Sequence, residues 1–128
     1  MSMTFINLPV RDLTTAAEFY RALGFASDQA EPDGGTRVLT VSESTRLVLH
    51  LRSGFESYTG VAVTDTQTSR EVVVGLSAPS RERVDELVDL AAVAGGESLG
   101  PGMTNGPMYM RGFRDLDGHQ WSFIHMAG

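Results

Sequence analysis

Two side chains in this 128-residue sequence bring together the chemistry and the setting for acid–base work. They are His50, inside Arg46-Leu47-Val48-Leu49-His50-Leu51-Arg52, and Glu71, which opens Glu71-Val72-Val73-Val74-Gly75-Leu76-Ser77. An imidazole titrates near neutrality, and a carboxylate shielded from water becomes a competent base. If the two meet in a closed interior, the carboxylate orients the imidazole or takes a proton itself; the same pair would equally serve to satisfy two polar groups against each other. The other histidines are placed differently: His119 directly follows an Asp-Gly turn, where solvent should reach it, and His125 falls near the end of a strand. There are no cysteines, which removes disulfides, thiolate nucleophiles and sulfur-ligated zinc. Imidazole, carboxylate and neutral oxygen are left as ligands for any metal.

Composition narrows the partners. Ten basic against sixteen acidic residues give a formal charge of −6, with no basic cluster to follow a phosphate backbone, so nucleic acid is excluded as a partner. No apolar run approaches the roughly 18 residues of a membrane helix. The opening Met1-Ser2-Met3-Thr4-Phe5 lacks the charged and apolar segments of a secretory signal, and the expected location is cytoplasmic. Glycines fall where turns and helix ends need them, as in Gly34-Gly35 and Gly95-Gly96, and no nucleotide-binding glycine fingerprint occurs.

The elements that must hold His50 and Glu71 follow a repeated pattern. Phe5 to Val10 reads as a strand; Asp12 caps a helix whose stripe is Leu13, Ala16, Ala17, Tyr20 and Leu23, ending at Gly24. Three extended runs follow: Phe25 to Gln29, Thr36 to Val41 after a turn through Pro32-Asp33-Gly34-Gly35, and Arg46 to Arg52. Residues 54–69 are rich in Thr, Ser, Asp and Gly and read as a long connection, either a lid or a solvated linker. The pattern then restarts. Glu71 to Ser77 is a strand, Ser80 caps a helix carrying Val84, Leu87, Val88 and Ala91, and Glu97 to Leu99, Pro107 to Phe113 and Gln120 to Met126 are strands. The last two form a hairpin about Asp117-Gly118, a strong short-range signal.

Both halves therefore read strand, helix, strand, strand, strand. The expected fold is α+β: two βαβββ modules, about 1–53 and 70–128 joined by 54–69, whose paired, curved mixed sheets enclose a shared cavity. A sheet covered on one side by a helix leaves its other face for the second copy to cover. Period-two alternation then selects the cavity side chains. Leu47, Leu49 and Leu51 go under the helix, leaving Val48 and His50 inward; Ile6, Leu8 and Val10 go under it, leaving Phe5 and Asn7. Val72, Val74 and Leu76 pack outward, so Glu71 and Val73 face in. With Trp121 and Phe123 against the second helix, Gln120, Ser122 and Ile124 face in. The run Gly100 to Met110 mixes turn formers with methionines, and Met108 and Met110 suit either an adaptable ligand surface or core filling.

The opening Phe5-Ile6-Asn7-Leu8-Pro9-Val10-Arg11-Asp12-Leu13, with Phe19-Tyr20 and Leu23-Gly24-Phe25, and the closing Asp115-Leu116-Asp117-Gly118-His119 resemble the vicinal oxygen chelate superfamily. That superfamily contains glyoxalase I, extradiol dioxygenases, and fosfomycin and bleomycin resistance proteins. The chain looks most similar to glyoxalase-like proteins labelled predicted lactoylglutathione lyases, and the resemblance spans both halves. It implies a small-molecule site. In metal-dependent members four inward ligands come from the first and last strands of each half, places that fall here on Phe5, His50, Glu71 and Ser122. Only His50 and Glu71 are competent there; Phe5 cannot coordinate and Ser122 is a poor ligand, so the site is incomplete and no cofactor is expected. Three functions stay open: a metal-dependent lyase or isomerase, a metal-free enzyme using Glu71 and His50, and a metal-free binding or antibiotic-sequestering protein. The ligand surface would comprise Phe5, Asn7, Val48, Val73, Met108, Met110 and Ser122. A homodimer is expected, because small paired-sheet units commonly bury their remaining edges by association.

Overall fold

A computed structural model of the chain describes residues 2–30 and 34–127, the side chains of residues 28–30 excepted. It divides into two compact units that meet between Thr64 and Asp65. The turn expected at Pro32-Asp33 lies outside the described residues.

The first unit runs β1 (Thr4–Val10), α1 (Leu13–Ala22), β2 (Ala26–Ala30), β3 (Thr36–Ser42), β4 (Thr45–Leu51) and α2 (Arg52–Thr59). Its sheet has the order β1-β4-β3-β2, with β1 parallel to β4 and the other pairs antiparallel. Pro9, which has no N–H for a ladder, sits in the edge strand β1. Asp12 caps α1 through its Oδ1, which accepts from the Thr15 N–H at 2.9 Å, and the helix ends at Leu23 before Gly24 turns the chain at φ 95°. The stripe Ala16, Ala17, Phe19 and Tyr20 is buried, as are Val10, Leu39, Leu47 and Leu49. Tyr20 lies between two aromatic partners, stacked on Phe25 at 5.6 Å and edge-on to Phe19 at 5.1 Å. The leucine periodicity of β4 thus faces the core under α1, and its alternate residues lie on the other face.

The second unit runs β5 (Val73–Ser77), α3 (Arg81–Val93), β6 (Glu97–Ser98), β7 (Met103–Asn105), β8 (Met108–Arg114) and β9 (Gln120–Met126). Its sheet has the order β5-β9-β8-β6, with β7 also paired to β8; β5 is parallel to β9. Ser80 caps α3, its Oγ accepting from the Arg83 N–H at 3.0 Å. Val84, Leu87, Val88 and Ala91 are buried, together with Phe113, Trp121 and Phe123 from β8 and β9. The Phe113 ring stacks on Trp121 at 6.2 Å and on Phe123 at 5.8 Å. The same side of β8 carries Tyr109 and Arg111. The Tyr109 hydroxyl donates to Asp85 Oδ1 at 2.6 Å, and Arg111 reaches Asp85 at 3.3 Å and Asp89 at 3.2 Å, so α3 is tied to β8 by charge as well as by packing.

Three expectations are corrected. The segment 54–69 is not a plain connection, because α2 occupies its beginning and is closed by Gly60, whose φ of 80° permits the left-handed cap. β5 begins at Val73, so Glu71 and Val72 precede the strand, and Val72 is 67% exposed rather than packed under a helix. The run Gly100 to Gly106 contains β7, which returns onto β8 through a tight turn at Gly106, φ 58°.

Candidate functional site

The first unit assembles a polar and aromatic group on the sheet face opposite α1. Parallel pairing sets Asn7 beside Val48 and Pro9 beside His50, so Asn7, Val48 and His50 share one face with Phe5. There the His50 Nε2 and the Asn7 Oδ1 are 2.8 Å apart. An amide oxygen only accepts, so Nε2 carries the proton and Nδ1 keeps its lone pair. Burial lowers the His50 pKa below its ordinary value near 6.5, because the imidazolium loses hydration. At neutral pH the ring is therefore a neutral base.

α2 completes this group. The polypeptide leaves β4 at Leu51 and enters the helix at once, which returns Phe55 and Tyr58, one turn apart, over the sheet. The Phe55 ring meets His50 edge-on at 5.8 Å, and the Tyr58 ring stacks over the imidazole at 6.3 Å, its plane 8° from parallel. Tyr58 is 76% exposed and Phe55 is half-buried, so the imidazole has one sheltered and one solvent-facing aromatic neighbour. Glu56, from the same helix, accepts the Val63 N–H at 2.8 Å and ties down the chain beyond Gly60. Neither Phe55 nor Tyr58 is among the residues expected from strand periodicity. Their spacing of three followed by Gly60 is the signal that marks a short helix with one aromatic face.

The remaining expected site residues lie in the second unit. The register Met110 to Ile124 and Gly112 to Ser122 places Met108, Met110, Ser122 and Ile124 on the face opposite Phe113 and Trp121, and Val73 shares it through its pairing with Gln120. Val73 is 52% exposed; Met108, Met110 and Ser122 are half-buried. Glu71 is exposed, and no hydrogen bond or ion pair engages it among the described residues. His119 is half-buried rather than open to solvent, and its backbone N–H donates to Asp115 Oδ1 at 2.9 Å. His125 places Nδ1 3.2 Å from the Ala78 carbonyl, a structural engagement.

The donors do not suit a metal of the expected kind. Among the described residues no three His, Cys, Asp or Glu side chains gather where they could hold an ion. Phe5 offers only a hydrocarbon ring, and the His50 Nε2 is already committed to Asn7. No step is therefore assigned to a metal.

Comparison with solved structures places this fold among known relatives. A hypothetical protein from S. aureus is 28% identical over 98% of this chain and 94% of its own, with a TM-score of 0.85. A glyoxalase-related enzyme from Fulvimarina pelagi is 23% identical over 98% and 88%, with a TM-score of 0.81. A lactoylglutathione lyase from Agrobacterium tumefaciens is 18% identical over 97% and 92%, with a TM-score of 0.68. No curated protein matches the chain. No helix among the described residues is long and apolar enough to cross a membrane. Residues 2–123 match the family model, and the chain belongs to the Glyoxalase/Bleomycin resistance protein/Dioxygenase superfamily.

Proposed function

We propose that this protein binds a flat organic molecule without a metal, using the His50 face of the first unit. The observation that supports this reading is the neutral imidazole held by Asn7 at 2.8 Å and flanked by Phe55 and Tyr58. The Nδ1 lone pair accepts a hydrogen bond from the ligand, the Tyr58 ring offers a stacking surface, and Phe5 and Val48 supply apolar area on the same face. Members of the superfamily bind small molecules, and this arrangement supplies the apolar walls and the single oriented polar group that such binding needs.

Metal-free bleomycin and a panel of aromatic heterocycles are the probes, titrated while the histidine resonances are followed by NMR. At least one probe should move His50 selectively, and His50→Ala and Tyr58→Ala should each weaken it at least about tenfold, or about 1.4 kcal/mol. A probe that saturates the protein without moving His50 refutes the site.

A second reading, proton transfer in a lyase or isomerase, is supported by the His50 ring, whose Nε2 is engaged by Asn7 while Nδ1 is left to take a proton. Turnover that is lost in His50→Ala while the fold is retained would establish it over simple binding. Nickel, zinc and manganese should not be retained stoichiometrically after gel filtration; one retained equivalent that is lost in His50→Ala would restore the metal-dependent alternative.

We also infer a homodimer. β1 and β5 are edge strands, and each carries an exposed apolar residue, Phe5 at 57% and Val73 at 52%. Association with a second copy would remove such edges from solvent.

A further inference from the structure

We propose that the second sheet carries a thioether site for a soft monovalent cation, copper(I) or silver(I), on the face opposite α3. Methionine sulfur is the donor missing from the imidazole, carboxylate and oxygen inventory. The register gathers it: Met103 pairs with Met110 across β7 and β8, and Met108 pairs with Met126 across β8 and β9. Directly paired residues share a face with Cβ atoms about 4.5–5.5 Å apart, and residues two apart on one strand share it too. Met103, Met110, Met108 and Met126 therefore form one zigzag over three strands, with Ile124 beside them.

Packing alone is a poor account of this choice. Strands favour β-branched and aromatic residues, whereas a methionine loses much rotamer freedom when it is ordered. Met103 and Met126 are 64% and 59% exposed, so half of the cluster has little apolar burial to offset that loss. The same flexibility lets sulfurs on neighbouring strands converge on one ion. A single thioether is a weak ligand, and the gain comes from the high effective concentration of the next one. Soft thioethers select copper(I), whereas magnesium, calcium and manganese prefer oxygen. The net charge of −6 favours cation approach.

This proposal does not use the His50 face, and thioether chemistry tells the two apart. Thioethers do not titrate, so binding should be as tight as at neutral pH when the pH is lowered to about 5. The test uses the full chain labelled with 13C at the methionine methyl groups, titrated with silver nitrate in chloride-free buffer at that pH and then anaerobically with copper(I). The Met103, Met108, Met110 and Met126 resonances should move together and saturate at one equivalent, with Met3 unmoved and zinc and manganese without effect. Met108→Leu/Met110→Leu should bind silver at least about a hundredfold more weakly, and the exposed Met103→Leu, which the core does not need, at least about tenfold. Movement of Met3 in parallel with the others, loss of binding at the lower pH, or unchanged affinity in Met103→Leu and the double variant would each overturn the proposal.

Discussion

Replacing Asp115 with alanine tests how the β8–β9 hairpin is held. Asp115 is 6% exposed. Its Oδ1 accepts the backbone N–H of Asp117 at 3.0 Å and of His119 at 2.9 Å, while Oδ2 accepts the Trp121 indole N–H at 3.3 Å. Trp121 is fully buried, so alanine removes an acceptor from an indole N–H that water does not reach, at a cost of about 1–3 kcal/mol. The two backbone donors belong to half-buried residues that water partly reaches, and their net loss is about 0.5–1.5 kcal/mol each. The expected destabilisation is therefore about 2–6 kcal/mol, a large part of the roughly 5–15 kcal/mol that holds a typical domain. Urea unfolding at fixed pH measures it, with an unchanged denaturant slope. Asp115→Asn keeps a carbonyl acceptor and should lose less, and Glu43→Ala, at an exposed turn, should be near neutral. A loss below about 1 kcal/mol in Asp115→Ala, with Trp121 fluorescence unaltered, would refute the accounting.

Further outcomes follow from other parts of the molecule. The His50 pKa is lowered on folding, so between its folded value and 6.5 the unfolded chain binds more protons; stability should fall as pH drops through that window, and His50→Gln should flatten the slope. The NMR titration of His50 should run below 6.5, and a midpoint above that value contradicts burial of the ring. Gly118 adopts φ 82°, and a Cβ there would run into the Thr66 hydroxyl, so Gly118→Ala should cost at least about 1–2 kcal/mol in thermal or urea unfolding. Light scattering at micromolar concentration should give a dimer mass, and a monomer would remove the edge-pairing argument while leaving both sheets intact.

Most of the fold was legible because its signals are local and consistent with one another. Asp12 and Ser80 are helix caps in fact as in expectation, and the leucine alternation of β4 and the Trp121/Phe123 alternation of β9 assigned their faces correctly. α2 was illegible for a physical reason: it has no side-chain cap, contains Gly54 and buries no residue fully, so no apolar stripe advertises it. It brings Phe55 and Tyr58 back against His50, a contact that exists only once the chain reverses after Leu51. Alternation also overran its range at Glu71 and Val72, where an apolar run continues past the end of the hydrogen-bonded ladder. The Asn7 partner of His50 depended on the parallel register of β1 with β4, which neither strand's sequence specifies alone.

The parallel pairings also have a consequence for synthesis on the ribosome. In each unit the first strand to emerge hydrogen-bonds to the last: Thr4 waits for Thr45, and Val73 waits for Gln120. Neither sheet can close progressively, because the strand that follows each helix joins the far side of the sheet and the gap beside the opening strand is filled last. Such non-local closure is slow compared with hairpin formation. While the rest of a unit is being made, its opening strand has a free backbone edge; β1 presents Phe5 there, and β5 presents Val73. A nascent chain stalled before β9 would thus leave β5 without its neighbour while α3 is already complete. Chaperone capture and edge-to-edge aggregation would be concentrated in that interval, and stall sites placed before and after Gln120 would delimit it.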